Sequence, residues 1–159
     1  FRNMNKTVIF DLDGTVIDSS HRAMFCPKTG KTNIAHWREN STFAKVMQDS
    51  LLPLSKYWKQ LIPSHGIQIV VCTARVLSVP DYKFLLKHGL FANQIFSRPE
   101  GDMTSDGILK VQQLAPYLSE KNALDKNTVL WDDNESVRMA VSEIGITTVD
   151  PRHYNEKFS

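Results

Sequence analysis

Cysteine is scarce in this chain, with two among 159 residues, Cys26 and Cys72. A lone, distant pair makes no disulfide framework and has no metal-ligand spacing. Cys72 closes the apolar run IQIVVC and reads as a core residue. No apolar run approaches the length of a membrane span, and no secretory signal peptide is visible. Charge of one sign is also missing. The formal net charge of +2 is too small to demand a polyanionic partner, although it leaves room for a local basic face. Repeats and low-complexity tracts are absent as well. Apolar residues at 42% and charged residues at 23% are ordinary for a globular protein, and the length suits one domain over 1–159. A reducing cytoplasm is the default expectation, with no membrane partner.

What is present is an alternation of short β-branched runs with helical patterns. Residues 7–11 (TVIFD) and 67–72 (IQIVVC) lack clean alternation, as strands buried on both faces do. Gln94–Ser97, Thr128–Trp131 and Ile146–Val149 are shorter runs of the same kind. Pro53 suits a helix start ahead of Leu54, Tyr57, Trp58 and Leu61. Tyr82, Leu85 and Leu86 predict a second helix face, ended by Gly89. Ser105 is a candidate cap for a helix striped by Ile108, Val111, Ala115 and Leu118. Asn134 is another, ahead of Val137, Ala140, Val141 and Ile144, with Gly145 as the stop. This order predicts an α/β fold with a mostly parallel sheet. Residues 18–52 are less regular and form the candidate small cap or insertion.

In an open parallel sheet, ligands bind beyond the carboxyl ends of the strands. Asp11 and Asp13 fall at one such end, Thr73 at a second, and Asp132 and Asp133 at a third. Two carboxylates about 4 Å apart repel by roughly 4 kcal/mol at an effective dielectric near 20, so several pairs in one crevice need a cation. Oxygen-only ligands that leave room for water and phosphate favour Mg²⁺ over Ca²⁺. Taken singly, each residue has a plainer reading. An Asp after a strand commonly caps a turn, Thr73 can do the same, and Lys110 suits the solvated face of an amphipathic helix.

DLDGT at 11–15, VVCTAR at 70–75, Lys110 and WDDNES at 131–136 resemble, in order, the four motifs of the haloacid dehalogenase (HAD) superfamily of phosphotransferases. The resemblance implies a three-layer, Rossmann-like α/β fold and a role for each residue. Asp11 would attack phosphorus to form an aspartyl-phosphate. Asp13 would protonate the leaving alcohol and then activate water. Gly14 would let phosphate approach the backbone. Thr73 would hydrogen-bond a phosphate oxygen, and Lys110 would neutralise the nucleophile and the phosphoryl group in transfer. Asp11, the Asp13 carbonyl and Asp132 would hold Mg²⁺, with Asp133 reaching it through water.

Within the superfamily, FSRPEGDMTSDGILK at 96–110 resembles the segment before the third-motif lysine of polynucleotide kinase 3′-phosphatase domains and related phage-type proteins. DSSHR at 18–22, HW at 36–37 and QDSLLP at 48–53 fit the same group. The likeness implies that Arg22, Arg75 and Arg98 meet the substrate. CTAR stands where serine and glycine are common, and MTSD lacks an arginine that often follows Gly-Asp. No G-x-x-x-x-G-K-[ST] occurs, so 5′-phosphorylation is not expected. His21, Arg22, Lys28, Lys31, His36, Trp37 and Arg38 make the stretch after the first motif basic and aromatic, fit to contact phosphates and stack on a base. The expected substrate is a 3′-phosphorylated nucleic-acid end. The alternatives are a free mononucleotide, or a catalytically idle fold binding a nucleic-acid end or a protein partner.

Overall fold

In chain order the elements are β1 (Lys6–Phe10), β2 (Ile17–Asp18), α1 (Ile34–Glu39), α2 (Phe43–Val46), β3 (Ser50–Leu51), α3 (Leu54–Leu61), β4 (Ile67–Cys72), α4 (Val79–Lys87), β5 (Gln94–Phe96), α5 (Asp106–Glu120), β6 (Thr128–Trp131), α6 (Glu135–Ser142), β7 (Thr147–Val149) and α7 (Arg152–Phe158). The structure is a computed structural model that describes residues 6–22 and 34–159. Cys26, Lys28 and Lys31 lie outside the described residues, as do the side chains of Trp37 and Arg38.

Five strands form one parallel sheet in the order β5-β4-β1-β6-β7. β1 is central because both its faces are apolar: Val8, Ile9 and Phe10 are all fully buried. Period-two alternation sends Val8 and Phe10 to one side, where they meet Leu54 and Trp58 of α3 and Phe84 of α4. Ile9 faces the other side with Val70, Cys72, Leu114, Leu118, Val137 and Val141. Trp58 is the largest fully buried side chain among the described residues. It stacks on Phe10 with ring centroids 5.0 Å apart, and its indole N–H donates to the Phe91 carbonyl at 2.9 Å. The five sheet strands and three-layer α/β arrangement follow the sequence expectation, with ends shifted by a residue.

Two helix faces differ from their expected stripes. On α4 the buried residues are Asp81, Phe84 and Leu85, whereas Tyr82 and Leu86 are exposed. On α5 they are Leu109, Lys110, Leu114 and Leu118, and Ile108 points to solvent. In both cases a buried charged residue holds the inward position, and an apolar-only periodicity assigns that position outward. Ser105 occupies the N-cap of α5 without a side-chain bond, while Asn134 accepts from the Ser136 N–H at the start of α6.

Between β1 and α3 the chain makes a two-stranded antiparallel ribbon, β2 with β3, that bounds the irregular stretch. A buried ion pair ties its root. Arg22 Nε and Nη2 donate to the two oxygens of Asp49 at 2.9 and 2.8 Å, and Nη1 donates to Ser41 Oγ at 3.0 Å. The His21 ring sits 2.6 Å from Asp49.

α7 has no counterpart in the sequence expectation. From it, Asn155 reaches back along the chain: its Oδ1 accepts from the Leu54 N–H at 2.8 Å, and its Nδ2 donates to the Thr15 carbonyl at 3.0 Å. One amide thus joins α7, the start of α3 and the loop after β1. Asn155→Ala leaves two buried backbone groups without partners. It is expected to cost about 2–3 kcal/mol, read in thermal unfolding as a Tm lower by about 6 °C. A Tm within about 1 °C of the parent would remove the clasp from the account of stability.

Candidate active site

The register of the sheet brings the acidic residues together. Phe10 pairs with Trp131, so Asp11 and Asp132, the next residue on each strand, leave adjacent strand ends side by side. The ladder runs one step further, with the Asp11 N–H donating to the Trp131 carbonyl at 3.0 Å and the Asp132 N–H to Val149 at 3.2 Å. Thr73 follows β4 on the other side of β1, fully buried, and its N–H donates to the Phe96 carbonyl. Its hydroxyl accepts from the Arg75 N–H at 3.2 Å and so caps the turn that presents Arg75.

After Asp11 the chain turns at once. The N–H groups of Thr15, Val16 and Ile17 all converge on the Leu12 carbonyl, and Gly14 takes φ +78°. A Cβ at Gly14 would run into the Asp133 carboxylate, so only glycine lets this turn pass beneath the β6 end. Asp11, Asp132 and Asp133 each offer a carboxylate oxygen within 4.8 Å of the others.

Lys110 is the counter-charge. A crossover helix returns antiparallel to the strands, so the first turn of α5 lies at their carboxyl ends, where Lys110 stands one turn above Leu114. Its Nζ, almost wholly buried, is 3.1 Å from Asp11 Oδ1 and 2.6 Å from Asp132 Oδ2. Burial alone would push its pKa down, but Asp11 and Asp132 outweigh that and hold the ammonium well above its ordinary range. One cation does not balance three carboxylates. Burial, with Asp132, Asp133 and Asp13 nearby, raises Asp11 well above the usual carboxylate range despite Lys110, and burial raises Asp133 as well. An oxygen-only cluster left under-neutralised in this way suits a hard divalent cation.

Asp13 has its own cation. Arg75 Nε and Nη2 donate to its two oxygens at 2.7 and 3.1 Å, and Ser19 Oγ donates to Oδ1 at 2.7 Å. Burial pushes Asp13 up, but the charge and hydrogen bonds of Arg75, with Ser19, prevail and hold it below the usual range. The four carboxylates thus divide into an Asp11–Asp132–Asp133 group served by Lys110 and an Asp13 group served by Arg75.

The other two arginines face different partners. Arg22 is buried against Asp49 at the root of the insertion. Arg98 donates to the carbonyls of Ala74, Asp102 and Thr104 and to Asp106 Oδ1, binding the turn after β4 to the loop that leads into α5. Burial pushes the Cys72 thiol up to about 12, consistent with an inert core residue. Sequence reasoning missed Ser19, Asp81 and Arg138, whose Nη1 donates to the Asp132 carbonyl at 3.0 Å. Serine and arginine on loops and helices are too common to stand out without the contacts.

Solved HAD hydrolases share this architecture. A HAD-superfamily hydrolase from Geobacter sulfurreducens superposes with a TM-score of 0.63 at 15% identity, over 91% of this chain and 88% of that one. A structure of the Pnkp1/Rnl/Hen1 RNA repair complex matches with a TM-score of 0.59 at 20% identity, over 92% of this chain. The chain spans only 42% of that matched chain. These likenesses show a HAD-type fold. The model of the bacteriophage T5 5′-deoxynucleotidase family matches residues 1–159, and the chain belongs to that family. It is 30% identical to the 5′-deoxynucleotidase of Escherichia phage T5 over 178 aligned positions, covering all of this chain and 72% of the relative. The expected superfamily, and its phage-type branch, are thereby confirmed. No helix among the described residues is long and apolar enough to cross a membrane.

A divalent cation that relieves the carboxylate cluster stabilises the folded protein. At ten times its Kd it is expected to add about 1.4 kcal/mol, a Tm rise of about 4 °C, reversed by EDTA. The cation needs Asp11 ionised, and the Asp11 pKa is raised. The Tm gain should therefore fade, as pH drops, before the range of an ordinary carboxylate is reached. A Tm unmoved by Mg²⁺ at neutral pH would count against a metal in this cluster.

Proposed function

We propose that this chain hydrolyses nucleoside 5′-monophosphates, deoxynucleotides foremost, through an aspartyl-phosphate on Asp11. The observation that carries the chemistry is the seat of Lys110 between Asp11 and Asp132 at the crevice. The substrate class follows the family to which the chain belongs. Its small net charge agrees, since a long polyanion would gain little from electrostatic attraction.

Asp11 attacks the phosphorus while Asp13, which must first take up a proton against the pull of Arg75, gives it to the leaving ribose oxygen. In the second half-reaction Asp13 takes a proton from the water that attacks the phospho-enzyme. Lys110 holds the Asp11 carboxylate in line and neutralises charge on the phosphoryl oxygens in transfer. Thr73 offers its hydroxyl to the phosphate, whereas the N–H groups of Gly14, Thr15, Val16 and Ile17 are engaged within the turn, and Gly14 serves by letting that turn pass close to the crevice. Asp11, the Asp13 carbonyl, Asp132 and Asp133 would hold Mg²⁺, which would supply positive charge to screen the nucleophile from the anionic substrate. Arg75 stays at the crevice. To Arg22 and Arg98 we assign a supporting role in place of substrate contact, because their donors face Asp49 and the loop before α5. We assign residues 18–52 as a small cap within one HAD-like domain over 1–159.

A second reading, removal of 3′-phosphates from nucleic-acid ends, draws on the fold likeness to the RNA repair complex and on the sequence of residues 96–110. Phosphate release from dAMP, a matched 3′-mononucleotide and a 3′-phosphorylated oligonucleotide, with Mg²⁺ or EDTA, separates the two. The expected result is Mg²⁺-dependent release that is strongest from the 5′-mononucleotide. A preference for the oligonucleotide would replace the first reading with the second. Asp11→Asn should abolish turnover with the fold retained, and Lys110→Ala should lower kcat by about 10²–10³-fold. Full activity in either variant would overturn the role given to that residue.

A further inference from the structure

The guanidinium of Arg75 is shared. Its Nε–Nη2 edge grips both oxygens of Asp13, and its Nη1 donates to Asp81 Oδ1 through a short contact. Asp81 lies on the third residue of α4, only 4% exposed, with no place in the strand-end cluster. Its other oxygen, Oδ2, accepts from the Ser78 N–H at 2.9 Å and from Ser78 Oγ at 3.1 Å. The carboxylate is therefore fixed by the start of α4 before Arg75 meets it. Arg75 follows β4 on a short turn, and a long side chain there has many rotamers open to it. Asp81 removes that freedom from the far side, while Asp13 and Ser19 close the near side.

We propose that Asp81 is a positioning residue for the reaction. By anchoring Nη1 of Arg75, it sets the plane in which the Asp13 carboxyl meets the leaving oxygen. The inference rests on the role given to Asp13 above. Without Asp81 the guanidinium loses its anchor on α4, so the plane of its Nε–Nη2 edge, and with it the aim of the Asp13 carboxyl, is less tightly fixed. A carboxylate at the third position of a helix is also an ordinary cap, worth stability and nothing more. The two roles separate by leaving group.

An alkyl phosphate breaks its P–O bond only as the leaving oxygen gains a proton from Asp13. p-Nitrophenyl phosphate releases a stable phenolate and needs little protonation. kcat/KM for both reports the steps up to formation of the phospho-enzyme, so the common hydrolysis step drops out of the comparison. The experiment measures kcat/KM for dAMP and p-nitrophenyl phosphate in the parent, Asp81→Asn, Ser78→Ala and Asp13→Asn.

Asp81→Asn should lose at least tenfold more on dAMP than on p-nitrophenyl phosphate, and Ser78→Ala should shift the ratio in the same direction by a smaller factor. Equal losses on both substrates, or no loss, would show Asp81 to be a helix cap alone and overturn the inference. If Asp81→Asn fails to fold, the Ser78→Ala ratio decides in its place, and an unchanged ratio overturns the proposal. Asp13→Asn keeps the two levels apart. A selective loss there without one in Asp81→Asn sinks only the positioning role, whereas no selective loss in Asp13→Asn removes the acid assigned to Asp13 and this inference with it.

Discussion

Everything at the crevice depends on charge neutralisation between two adjacent strand ends. β1 and β6 both finish in aspartate, and their parallel register leaves Asp11 and Asp132 no means of avoiding each other. Lys110 makes that arrangement tolerable, and it can do so because α5 starts where the strands stop. A buried lysine away from carboxylates would shed its proton, and buried carboxylates away from a lysine would keep theirs. Here Asp11 and Asp132 hold Lys110 in its charged form, yet one cation cannot satisfy all the oxygens, and Asp11 stays raised well above the usual carboxylate range. The remaining deficit of positive charge suits the cluster to a hard divalent cation.

The second cation is organised on different terms. Lys110 is a point charge at the end of a flexible stem, suited to sit between two oxygens on separate strands. Arg75 is planar, and its two edges are used for two purposes, one towards Asp13 and one towards Asp81. In the proposed mechanism the site therefore pairs a diffuse neutraliser at Asp11 with a directional holder at Asp13. That division matches the different demands of the two steps, since attack at phosphorus needs charge screened and proton transfer needs a carboxyl aimed.

Much of this could be read from residue order. The short β-branched runs located the sheet, and the acidic pairs following two of them located the crevice. What could not be read was where buried charge sits on helices. Asp81 and Lys110 occupy inward positions that hydrophobic periodicity assigns to apolar residues, so the faces of α4 and α5 came out rotated. Arg22 shows the opposite difficulty. Its place soon after the first motif suggests a substrate contact, and only three-dimensional proximity to Asp49, 27 residues on, reveals an ion pair at the base of the insertion. α7 escaped notice because its short amphipathic pattern is weak, and its key residue, Asn155, works through backbone contacts that leave no sequence pattern.

β1 is made first, whereas its sheet neighbours β4 and β6 follow much later in the chain. β1 lies between β4 and β6, and the clasp of Asn155 on Thr15 spans 140 residues of chain. During synthesis, Asp11 and Asp13 emerge long before the residues that surround them, and a chain extended only through α5 already bears Lys110 but not β6. Ordering of the sheet centre must wait for contacts between distant segments, which are slow to form. A nascent chain thus holds its reactive aspartates in solvent as ordinary carboxylates. In the proposed mechanism they can act together only once β6 and the last part of the chain have closed around them, so activity and completed folding should appear together.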